Sequence, residues 1–88
     1  MTPTVSTTQS QLLTIRGRLP SDSFLPWVER HSRRLGLTCT VVRAGAQEAV
    51  FRVGGQADLI DALEVGCLLG PIDAWVDTIT RRSDAFPE

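Results

Sequence analysis

Between Gly17 and Val28 the chain reads Gly-Arg-Leu-Pro-Ser-Asp-Ser-Phe-Leu-Pro-Trp-Val. A strand that runs into a tight loop opening a helix can bind a phosphate, because backbone N–H groups and the positive end of the helix dipole converge there. The residue types oppose that use. Pro20 has no N–H, Asp22 adds a negative charge, and Leu25 carries no charge. The frame of an anion site is present and its chemistry is not.

Other reactive residues are few. Cys39 and Cys67 are the only cysteines and His31 the only histidine, so neither a disulfide framework nor a zinc site is expected, and the metal expectation is none. Both cysteines fall in apolar periodic segments, where free cysteine behaves as a small buried hydrophobe. His31 lies on an apolar helical face and reads as a packed or rim histidine. Nothing beside Cys39 would depress its thiol pKa or orient a base toward it. Asp22 stands alone, without a second catalytic group beside it, and reads as a helix cap.

The elements that must position these residues follow from periodicity. Leu13, Ile15, Gly17 and Leu19 alternate with Thr14, Arg16 and Arg18, the pattern of a half-buried strand that Pro20 ends. Ser21, Asp22 or Ser23 can start a helix, with Pro26 expected in its first turn. Phe24, Trp27, Val28, His31 and Leu35 keep helical spacing, and Gly36 is a natural stop. Leu37 to Arg43 and Ala49 to Val53 alternate around a turn centred on Gly45, which reads as a hairpin broken by Gly54-Gly55. Ala57 to Leu69 forms a second helix that Gly70-Pro71 stops, and Ala74, Val76 and Ile79 mark a last strand. The order βαββαβ predicts an α+β fold: a two-layer, ferredoxin-like sandwich with a four-stranded antiparallel sheet and two helices on one face. Residues 1–10 read as a disordered lead-in, 11–82 as one domain and 83–88 as a tail.

Composition bounds the function. The net charge of −1 supplies no field for nucleic acid or an anionic membrane, and the expectation is no nucleic acid and no membrane partner. No apolar run approaches the length of a membrane span, and the Thr/Ser/Gln-rich start lacks the features of a signal peptide, so the expected location is cytoplasmic.

The spacing of Gly17, Leu19, Phe24, Pro26 and Val28, then Leu35-Gly36-Leu37-Thr38 and Val41, then Gly55, Ile60, Leu63, Gly70-Pro71, Ala74, Val76-Asp77 and Ile79 resembles the acylphosphatase family without a gap from residue 16 to residue 79. The resemblance implies the same fold and a hydrolysis of acyl phosphates that uses no metal or cofactor. In that family a loop of backbone amides and one arginine hold the phosphoryl group, and an asparagine orients the attacking water. Here the loop positions hold Pro20, Ser21, Asp22, Ser23 and Phe24, the arginine position holds Leu25 and the asparagine position holds Arg43. The resemblance therefore implies the fold without efficient hydrolase activity, and no catalytic residue is assigned. The domain is expected to act as an interaction or assembly module. The alternative is a divergent acylphosphatase in which Arg18 or Arg43 clamps the phosphate.

A partner surface has its own signal. With Ala74 and Val76 inward, Trp75 turns onto the open face of the sheet, together with Thr14, Arg16, Thr40, Val42, Val50 and Arg52. An exposed tryptophan among Arg16 and Arg52 marks a candidate contact for an unknown protein partner or a second copy.

Overall fold

The computed structural model describes residues 8–83. Four strands and two helices follow the expected order: β1 (Thr8–Arg18), α1 (Ser21–Arg34), β2 (Thr38–Ala44), β3 (Glu48–Gln56), α2 (Ala57–Leu69) and β4 (Trp75–Ser83). The sheet order is β2-β3-β1-β4, and every neighbouring pair is antiparallel. The fold is α+β and ferredoxin-like, with β1 and β3 central.

Period-two alternation builds the core. Leu13 and Ile15 of β1 and Ala49, Phe51 and Val53 of β3 face the helices and are buried. Phe24 and Val28 of α1 and Ile60, Leu63 and Cys67 of α2 close over them. The rings of Phe24 and Phe51 meet in a tilted arrangement with centroids 6.4 Å apart, which ties the first turns of α1 to the central strand. Trp27 is half-buried and stacks on His31 at 5.0 Å, and His31 lies against Gly66 of α2, so the single histidine is a helix-packing residue. Ser32 is buried on the same helix, where its hydroxyl donates to the Val28 carbonyl (2.7 Å). On the helix side of β4, Arg81 donates to Gln11 (2.7 Å), Glu64 (3.0 Å) and Asp61, joining β4 to β1 and α2.

Three boundaries and the place of Pro26 differ from expectation, each for a physical reason. β1 begins at Thr8, so the last residues of the expected lead-in pair with β3; positions 1–7 and 84–88 lie outside the described residues. Thr8, Gln9 and Ser10 carry no apolar alternation to betray a strand. Gly54-Gly55 does not break the hairpin: β3 runs through both, pairing with Ser10 and Gln9. Gly55 sits at φ +152° under the Leu37 side chain, where a Cβ would come within 2.3 Å of it, so glycine here admits a buried leucine. α1 is capped by Pro20 and by none of Ser21, Asp22 or Ser23. Pro20 is extended (φ −63°, ψ 118°), and its carbonyl accepts from the amides of Ser23 (3.2 Å) and Phe24 (2.7 Å). Because the helix starts at Ser21, Pro26 falls in its second turn, leaving the Asp22 carbonyl without its usual intrahelical donor.

Candidate functional site

β1 leads into α1 through Leu19 and Pro20 alone. Leu19 is buried, and its amide donates to the Ala46 carbonyl (2.8 Å); the Gly17 amide donates to Gln47 (3.0 Å). The last residues of β1 are thus held against the β2–β3 turn. Gly17 also lies against β4, where a Cβ would stand 2.0 Å from the Trp75 carbonyl oxygen, so only glycine allows this approach.

The expected phosphate loop is helix from Ser21 onward. Four of the amides that could form a cradle are Ser21 to Phe24, and the latter two are already bonded to Pro20. Phe24 is fully buried, and Leu25 is partly buried against the core. Asp22 is exposed in the first turn, and the Ser23 hydroxyl donates to Asp73 (2.8 Å) in the α2–β4 turn. Two carboxylates therefore stand at the positive end of α1. They suit the helix dipole and oppose an incoming phosphate dianion. Asp73 gave no signal in the sequence, because its approach depends on how the α2–β4 turn folds back onto α1.

Both candidate clamps fall on the open face of the sheet. A bulge between Val41 and Arg43 places Arg43 opposite Val50, on the sheet face away from the helices, where it pairs with Glu48 (3.3 Å). Glu48 also holds Arg16 (3.0 Å). Arg18 lies opposite Trp75 in the β1–β4 register, on that same open face. The structure brings Arg16, Arg43 and Glu48 together and sets Arg18 opposite Trp75; among the described residues Arg43 is bonded to Glu48 and not to Ser21–Leu25.

An open cleft of about 750 Å³ lies beside Trp75, lined by Gly17, Arg18, Ala46, Gln47, Trp75 and Asp77. Trp75 is 70% exposed, and its indole N–H donates to Asp77 (2.9 Å), which fixes the ring at the sheet edge. The outward turn expected of Trp75 is observed. Asp77, two residues on, shares the face of Trp75, as strand alternation requires, and lies at the bulge of the β1–β4 register next to Gly17.

The cysteines lie apart from both regions, unbridged. Burial raises the Cys39 thiol pKa, and burial pushes that of Cys67 up to about 12, so neither is an activated nucleophile. Among the described residues no helix is long and apolar enough to cross a membrane, and no three His, Cys, Asp or Glu side chains converge as a metal site.

No family model matches the sequence, and no curated protein matches it. Solved structures do. An acylphosphatase from Coxiella burnetii superposes with a TM-score of 0.80 at 20% identity, covering 92% of this chain and 85% of that one. Acylphosphatase from Bacillus subtilis gives 0.77 at 14% identity, with 88% and 87% covered. Full-length HypF, in a phosphate- and nucleotide-bound form, gives 0.80 at 21% identity; the match takes in 97% of this chain and 11% of that one. At these identities the likeness is one of architecture: the chain has the acylphosphatase-like fold.

Proposed function

We propose that this acylphosphatase-like domain is not an efficient acyl phosphate hydrolase and serves as an interaction or assembly module through its open sheet face. The observation that carries the reading is at Leu25. The position that the family resemblance assigns to the phosphate-holding arginine is a leucine turned against the core, on a helix that starts directly after Pro20. Loss of one donor in a site of this kind costs about 10²–10³ in rate. Loss of the cation and the nearness of Asp22 and Asp73 act in the same direction. The two free cysteines suit a reducing compartment such as the cytoplasm. Titration of the labelled chain with inorganic phosphate tests the site: the amides of Ser21 to Leu25 are expected to stay in place at millimolar phosphate, and saturable shifts there would contradict the reading.

A second reading, a divergent acylphosphatase, draws on Arg18, which lines the cleft and has no carboxylate partner among the described residues. It predicts turnover that Arg18→Ala abolishes.

A further inference from the structure

The strand registers sort the charges. Arg16 and Arg18 of β1, Arg43 of β2, Arg52 of β3 and Arg82 of β4 all fall on the open face, and all are exposed. Only Glu48 and Asp77 accompany them among the described residues, giving this face a formal charge of +3 on a chain whose net charge is −1. Part of this positive charge has no carboxylate of its own among the described residues. Glu48 is shared between Arg16 and Arg43, one Asp77 oxygen is taken by the Trp75 indole, and Arg18 and Arg82 have no carboxylate partner among the described residues. Between the arginines the surface is apolar: Leu12 and Val50 are half-buried at its centre, and Val42 and Trp75 are exposed.

Resting on the reading of this face as the contact surface, we propose that it docks an acidic, amphipathic protein segment, with apolar side chains over Leu12 and Val50 and carboxylates toward the flanking arginines. Arginine and tryptophan around an apolar centre is the composition of a protein contact. The bond to Asp77 holds the Trp75 ring before binding, so little freedom is lost on contact. A symmetric pairing of two such faces is disfavoured, because it sets arginines of one copy against arginines of the other. A nucleic acid fits less well: Glu48 sets a carboxylate between Arg16 and Arg43, where a phosphate backbone would approach, and Trp75 is the one aromatic on this face among the described residues.

The test is amide and indole chemical shifts of the labelled full chain, titrated at low salt with a synthetic peptide alternating Glu and Leu. Shifts are expected at Leu12, Thr14, Val50, Arg52 and the Trp75 indole, weakening as salt rises. The double variant Arg18→Glu, Arg82→Glu should bind at least about tenfold more weakly at an unchanged melting temperature. Absence of shifts, shifts confined to the helices, or affinity indifferent to the double variant overturns the proposal. So does an oligothymidylate that moves the same resonances at lower concentration than the peptide. Benzoyl phosphate turnover by the same sample separates the two readings. Turnover overturns the non-enzymatic reading, whereas missing shifts without turnover overturn only the partner assigned to the face.

Discussion

The junction of β1 with α1 and the open face of the sheet are built on the same strand and have opposite character. At the junction the packing is complete: Gly17 lies against the Trp75 backbone, Leu19 and Phe24 are buried, and Leu25 is drawn toward the core. At the start of α1 the charges are carboxylates, Asp22 in the first turn and Asp73 bonded to Ser23. One residue further along the pleat, the side chains point away from the core and the charges are arginines. Backbone approach and burial therefore set the path from β1 into α1, because the core depends on Gly17, Leu19 and Phe24 whatever this segment binds. Substitutions should accordingly separate the two regions, with stability lost at the junction and binding lost on the sheet face.

The largest effect is expected at Phe24. Phe24→Ala removes a fully buried ring that contacts Phe51 and should cost about 3–5 kcal/mol, enough to leave much of the chain unfolded at room temperature in a denaturant titration. Gly17→Ala comes next. Its Cβ would stand 2.0 Å from a backbone oxygen that cannot swing aside, so β1 and β4 must separate locally. A loss of about 2–3 kcal/mol is expected, read as a lower midpoint in the same titration, and a near-neutral result would mean that the junction is looser than described.

Alkaline pH probes the helix side without a mutation. The chain has no lysine and no tyrosine, so its thiols are the side chains that titrate between pH 9 and about 12. Cys67 has an ordinary value near 9 when unfolded and one near 12 when buried, so folding favours the protonated thiol. Its contribution is full below pH 9 and is lost as pH rises toward 12, at up to about 1.4 kcal/mol per pH unit. Cys67→Ala should flatten most of that slope, leaving the smaller part due to Cys39, whose pKa is also raised. A slope unchanged in the variant would place the titrating group elsewhere. The smallest effect on folding belongs to the sheet face. Trp75→Ala should alter stability by less than about 0.5 kcal/mol, since the side chain is largely in water, while weakening the acidic peptide. A large loss of stability would make Trp75 a structural residue and blur the contrast.

Much of the architecture was legible from alternation and helical spacing. The order of elements, the inward set Leu13, Ile15, Phe51 and Val53, the outward Trp75 and the stop at Gly70 all follow from local pattern. What was not legible depended on tertiary contact. Pro20 serves as the helix cap because β1 is pinned to the β2–β3 turn immediately before it. β3 continues through two glycines because Leu37 covers one of them. At the candidate site the residue types alone indicated missing donors. The position of Arg43, however, was set by a bulge that no pattern revealed, and Asp73 comes to the start of α1 only in three dimensions.

The central claim is that the junction keeps its frame and lacks hydrolytic chemistry. Steady-state hydrolysis of benzoyl phosphate by the purified full chain measures it directly. The account predicts a rate indistinguishable from the uncatalysed background, unchanged in Arg43→Ala and Arg18→Ala. Saturable turnover well above background that disappears in either variant would contradict it.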